Sequence, residues 1–268
     1  MIGNKPSIYN AQSVYNQGGG SGTFKVDIGG GVYQTLVFPP YLIPVEYIDN
    51  SNNSDNNFCL MASEQMPIAS QANNLFIKFV IKANKNYLGD SGNRNVVYKY
   101  IPQWMFSNNN DIRASVSKNN NNNPLVTLYF GNKTHTFSIN NIDSKLTLIM
   151  NASVNKFIVF DDEGFYQEYT DSRVPPAYNF GHVSVFNSMY ETKIYKGSFY
   201  YGYVANNSTK EILSLLVPAR AKNLNDKKPY IVECVGGSVL INCSENLNTT
   251  GFEFGQDINL DEIQQYIE

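Results

Sequence analysis

A chain of 268 residues is long enough for one large all-β domain or two small ones, with a real core in either case. Hydrophobic residues make up 42% and aromatics 13%, but charged residues only 16%, so neutral amides must cover much of the surface, the unbroken run Asn119 to Asn123 among them. A net charge of -3 removes the long-range attraction that nucleic acid requires, and no apolar run approaches the roughly 18 residues of a membrane-spanning helix.

The opening residues, MIGNKPSIYN, lack the apolar core of a signal peptide, so export by the usual route is not expected. Residues 1–30 are rich in Gly, Ser, Asn and Gln, with Gly18 to Gly20 and Gly29 to Gly31 bracketing one alternating run, Thr23 to Ile28. Such a segment cannot bury enough apolar surface to offset its own ordering entropy. It is either a loose terminus or an arm that docks on a partner or on copies of itself. Val32 to Phe38 follows, closed by Pro39 and Pro40, which end a ladder. A domain boundary is expected near Pro44, giving an arm over residues 1–44.

Beyond it the chain reads as strand after strand: Leu75 to Ile81, Val96 to Ile101, Ile112 to Val116, Leu125 to Phe130 and His135 to Ile139. Lys145 to Met150, Lys156 to Phe160, His182 to Phe186 and Gly197 to Val204 continue the series. Gly131-Asn132 and Asp162-Glu163-Gly164 read as hairpin turns, the second placing Phe165, Tyr166 and Tyr169 on a returning strand. Short strands at near-regular spacing, with no helical windows between them, predict an antiparallel sandwich over residues 45–255. The one expected helix lies in residues 256–268. Asn259 and Glu262 form a capping box there, and Leu260, Ile263 and Ile267 share a face that needs a docking surface on the sandwich or between subunits.

The chemistry is mostly negative. Cys59, Cys234 and Cys243 are odd in number and lack Cys-x-x-Cys spacing, so buried or half-buried thiols are expected, a Cys234 to Cys243 pair across a hairpin being the alternative. His135 and His182 have no ligand partners at metal spacing, and no cofactor or metal is expected. No nucleophile elbow, phosphate loop or dinucleotide fingerprint is present. The acidic cluster Asp161-Asp162-Glu163 sits on a turn, as a solvated tip or a calcium loop, and not as the paired carboxylates of a glycosidase. The pattern that remains is a glycan site. Tyr100, Gln103, Trp104 and Asn108 bring aromatic faces and amides together around Pro102, although Trp104 also suits a core. Phe199, Tyr200, Tyr201 and Tyr203 form a second aromatic group, and strand alternation predicts Phe199, Tyr201 and Tyr203 on one face.

Three segments carry a resemblance: Val45-Glu46-Tyr47-Ile48; Lys196 to Ala219, with Tyr203 in its aromatic strand and the exit Val217-Pro218-Ala219; and Gly251-Phe252-Glu253-Phe254-Gly255. Together they resemble the concanavalin A-like, laminin-G-type jelly rolls of tail, fibre and appendage proteins of tailed bacteriophages. The final hairpin departs from that pattern at Pro229 to Glu233 and Val239 to Asn242. The resemblance implies a non-enzymatic virion component assembled in the host bacterial cytoplasm, and a homo-oligomer, a trimer by analogy. It implies an N-terminal arm attached to other virion proteins and a sandwich facing host-surface polysaccharide, with no nucleic acid bound and no membrane insertion. A capsid-decorating head fibre differs only in where the arm docks. A free bacterial carbohydrate-binding or glycan-processing protein is the alternative of another class.

Overall fold

A computed structural model describes residues 22–53, 60–61, 74–88, 95–102, 112–130, 133–172, 181–186, 195–242 and 251–267. The fold is an antiparallel β-sandwich, with the short helix at the C-terminal end. In chain order the strands are β1 (Gly22–Asp27), β2 (Tyr33–Phe38), β3 (Leu42–Pro44), β4 (Ile48–Asp49), β5 (Leu60–Met61), β6 (Leu75–Ala83) and β7 (Asn95–Pro102). β8 (Ile112–Lys118), β9 (Pro124–Phe130), β10 (Lys133–Ser138), β11 (Leu146–Asn151), β12 (Lys156–Asp161) and β13 (Tyr166–Thr170) follow. The chain then forms β14 (Gly181–Val185), β15 (Gly197–Asn206), β16 (Ile212–Ala221), β17 (Tyr230–Glu233), β18 (Ser238–Asn242) and β19 (Glu253–Phe254).

Pairing assembles β3 to β19 into two sheets, while β1 and β2 pair only with each other. The middle sheet runs β13, β12, β11, β6, β15, β16, β17, β18, with β3 added to β16 and β4 to β15. The front sheet runs β10, β9, β8, β7, β14, β5, and β5 pairs with the far half of β18, so that one strand joins both sheets. Between the sheets lies the main core. Leu75, Ile77, Phe79 and Ile81 of β6, with Leu146, Leu148 and Met150 of β11, face Ile112, Val116, Val126, Leu128 and Phe137 of the front sheet.

The middle sheet is apolar on its other side too, which gives the molecule a third layer. β15 and β16 are buried at nearly every position, so alternation alone cannot describe them. Tyr201, Tyr203, Leu215, Val217, Tyr230 and Val232 form that outer face. It is covered by Phe24, Val26, Leu36 and Phe38 of the β1–β2 hairpin and by Ile258, Ile263 and Tyr266 at the C-terminal end. Polar contacts fix the cover in place. The Gln34 side chain donates to Ile212 O at 2.8 Å and accepts from Ile212 N at 2.7 Å, while Val37 N donates to Cys234 O at 2.7 Å. Gln264 brackets Asp27 likewise, accepting from its N–H at 2.8 Å and donating to its carbonyl at 3.0 Å.

The segment assigned to an arm is therefore paired and packed from Gly22 onward. The boundary expected near Pro44 falls inside the sheet, because β3 pairs with β16 through Pro44–Ala219 and an exposed apolar sheet face requires covering. Residues 1–21 lie outside the described residues.

Three further expectations are refined by the structure. The capping box forms as read, Asn259 N donating to Glu262 Oε2 at 2.5 Å, but the helix opens as a 3₁₀ turn, Leu260–Ile263, before one α turn, Gln264–Ile267. Cys234 is a free, buried thiol, and Cys59 and Cys243 lie outside the described residues, as does the Gly131-Asn132 turn between the paired Phe130 and Lys133. Phe199, Tyr201 and Tyr203 do not share a face. The β15–β6 register steps from Phe199↔Ile81 to Tyr201↔Val80, a bulge at Tyr200 that leaves Phe199 in the main core and turns Tyr200, Tyr201 and Tyr203 to the outer face.

The exit Val217-Pro218-Ala219 has a structural reason. On one side β16 pairs with β15 as far as Leu216 and with β3 from Ala219, and Pro218 stands at the change of neighbour. Its carbonyl accepts from Val45 N at 3.0 Å, so the missing N–H faces the gap in the ladder, where no donor is required. The other two motif segments adjoin this point. Val45 bridges to Asp257, Glu46 N donates to Gln256 O at 3.0 Å and Gly255 N to Tyr47 O at 3.0 Å. Gly251 has φ +82°, and a Cβ there would lie 2.2 Å from Asn52 O; half-buried Phe252 packs against the main core.

Because the hairpin is part of the folded body, Leu36→Ala should cost about 3 kcal/mol in global stability by denaturant titration. Val32→Ala, at a residue 57% exposed, should leave the midpoint unchanged.

Candidate functional site

Where β4, β15 and β19 meet the end of β6, an open cleft of about 440 Å³ is formed. The bulge in β15 aims Tyr200 toward it, and Tyr47, from the segment between β3 and β4, supplies a second ring 5.3 Å away at 53°. The remaining lining is polar: Asp49, Ser51, Lys82, Asn84, Lys85, Asn86, Asp143, Ser198 and Glu253. These come from five separate stretches of chain.

Each carboxylate in the cleft has a partner. Asp49 accepts from Ser198 Oγ at 2.6 Å and from Ser51 N at 2.7 Å; Glu253 accepts from Asn52 Nδ2 at 2.8 Å; Asp143 pairs with Lys85 at 3.0 Å. Asn84 caps the 3₁₀ turn Lys85–Tyr87, accepting from Asn86 N at 3.1 Å. Lys145 Nζ lies 4.2 Å over the Tyr200 ring, a cation placed on its face. The Tyr200 phenol is pushed up to about 12, by burial first and then by Glu46, Tyr47, Asp49 and Asp162. Burial raises the Tyr47 phenol as well, helped by Glu46, Asp49 and Glu253. Both rings therefore carry hydroxyls that stay protonated well above neutral pH. The cleft offers the half-buried Tyr47 ring beside the buried Tyr200, with hydroxyl donors, amides and carboxylate acceptors, groups of the kind that hold a polyhydroxylated ring.

Of the residues expected to bind glycan, Tyr100 lies in β7, its backbone paired with Ile112 and Val183, and its side chain is outside the described residues. Gln103, Trp104 and Asn108 lie outside them altogether. Tyr47, read from the sequence only as part of a structural motif, and Tyr200, read only as one of an aromatic group, are brought together instead. No local signal pointed to Lys82, Asn84 or Asp143, and Glu253 was read only within the Gly251 to Gly255 motif; the four meet only through the topology.

The other candidates have local duties. Asp161 is buried and closes its own hairpin, accepting from Glu163 N at 3.0 Å, Phe165 N at 2.8 Å and Ser144 Oγ at 3.0 Å, which commits its oxygens to the turn. His135 stacks on Tyr169 at 3.8 Å and 7°; burial lowers its pKa, against an opposing pull from Asp171. The His182 side chain is outside the described residues. Among the described residues no group of three or more His, Cys, Asp or Glu is arranged to hold a metal ion, and no helix is long and apolar enough to cross a membrane.

No protein-family model and no curated protein matches the chain. Among solved structures it is similar to a native heptameric SAP-like pentraxin from Limulus polyphemus, at 11% identity over 62% of this chain and 76% of that one, with a TM-score of 0.40. It is also similar to scytalido-glutamic peptidase, at 9% identity over 72% and 98% with a TM-score of 0.33, and to the Emp47p carbohydrate recognition domain, at 14% over 62% and 95% with a TM-score of 0.29.

A phenol held at about 12 in the fold and 10.0 in the free chain contributes stability that is complete below pH 10 and is lost as pH rises toward 12. Tyr200→Phe should remove one tyrosine from the late phase of a tyrosinate absorbance titration. The variant should also lose less stability than the parent across that interval.

Proposed function

We propose that this chain is a non-enzymatic, carbohydrate-binding component of a tailed-phage particle, built as a fibre or appendage subunit. The observation that carries the binding half is the Tyr47–Tyr200 cleft. The half-buried Tyr47 ring, backed by Tyr200 at 5.3 Å and rimmed by amides and by carboxylates already held by neighbours, suits a sugar's C–H face and hydroxyls. The same engaged carboxylates argue against proton-transfer work, since Asp49, Asp143 and Glu253 each serve a serine, lysine or asparagine. The particle half is supported by the resemblance of the three quoted segments, which adjoin one another at Pro218, Val45 and Gln256. In this reading subunits associate as a homo-oligomer, a trimer by analogy, and residues 1–21 hold the sandwich to other virion proteins. An isolated cleft of this openness binds weakly, and repetition around a symmetric particle multiplies its hold on a polysaccharide surface.

On a glycan array the full chain should give a defined set of binders, and Tyr47→Ala should weaken each by about tenfold, equivalent to about 1.4 kcal/mol. Binding indifferent to Tyr47→Ala, or no binding at all, would remove the cleft from the account. Immunogold labelling of purified virions with an antibody to residues 45–255 should mark a fixed site on the particle. Protein found only free in the lysate would overturn the particle half.

A further inference from the structure

Lys133 is an anomaly of burial. It opens β10 on the inward side of the front sheet, only 2% exposed, in a pocket whose walls include Phe130, Met150 and Phe157. A lysine in such apolar surroundings is costly to keep charged. Its Nζ donates to Asn155 Oδ1 at 2.6 Å and to the Asp171 carbonyl at 3.3 Å, both neutral acceptors.

Asn155 is held rigidly for the encounter. It sits in the β11–β12 turn with φ 55°, its N–H donating to Ala152 O at 3.3 Å and its own carbonyl accepting from Asp171 N at 2.9 Å. Asp171, 5% exposed, thus touches both partners through its main chain. A buried amine and a carboxamide are held together on rigid elements, both tied to the Asp171 main chain, which removes most of the entropic cost of joining them.

We propose that Lys133 and Asn155 become linked by a side-chain amide, formed within the folded chain. The neutral Lys133 amine attacks Cγ of Asn155, and the Cγ–Nδ2 bond breaks. A proton from Nζ passes to the departing nitrogen, which leaves as ammonia. One amide replaces another, so atoms and electrons balance with no oxidant, metal or external reactant. The product is an uncharged amide. It staples β10, at the edge of the front sheet, to the β11–β12 turn of the middle sheet, on the side of the sandwich away from the β18–β5 junction. A cross-link there would suit a subunit exposed outside a cell, although the chemistry is independent of that setting.

The test is the intact mass of the full chain, purified in folded form. The linked protein should weigh one ammonia less than its sequence, and a proteolytic digest should contain a branched peptide joining residues 133 and 155. Lys133→Met and Asn155→Ala should each restore the full sequence mass. A wild-type chain at full sequence mass, or one yielding only unbranched peptides at these positions, would overturn the proposal whether or not the variants fold.

Discussion

The constraint on which this architecture depends is that its middle sheet is apolar on both faces. A sheet with one wet face can be satisfied by a single partner layer, but β15 and β16 present tyrosines, leucines and valines to both sides, and a two-layer sandwich would leave one of them in water. The front sheet covers one face. The β1–β2 hairpin and the C-terminal turn of helix, each too small to persist alone, cover the other. Fully burying a side chain such as Leu36 contributes about 2 kcal/mol, so several of them together outweigh the ordering of a Gly-rich hairpin.

The same constraint shapes the cleft. With both faces of β15 committed to cores, the strand accommodates two consecutive outward tyrosines only by bulging, and the bulge is what turns Tyr200 toward Tyr47. The cleft is therefore made from a defect in the ladder, flanked by the short strands β4 and β19, and its rings are seated in the packing of the body.

The strands after Pro44 were legible because β-branched and aromatic runs separated by Asn, Gly and Asp report a pleated, half-buried surface directly. The capping box of Asn259 and Glu262 was legible for the same local reason. The docking of residues 22–38 was not, since what makes a sparse Gly-rich hairpin stable is an apolar face contributed by residues nearly two hundred positions later. The bulge was missed because strict alternation is the default of a strand and nothing in Phe199-Tyr200-Tyr201 marks the extra residue. Tyr47 was noticed as pattern and not as a binding ring. The cleft residues Lys82, Asn84 and Asp143 carried no signal at all, and Glu253 only that of its motif, because only the fold makes them neighbours.

The bracket between Gln264 and Asp27 spans 237 positions of sequence. Chain growth at the ribosome proceeds from the N-terminal end, so the hairpin emerges early and finds neither β16 nor the closing turn available to it. It must wait, unpaired with the body, until β15 to β17 have been synthesised, and Ile258, Ile263 and Tyr266 then join the same outer layer. An element made before the sheet it covers is thus docked after it, and the outer layer closes only once both sides of the contact have been synthesised.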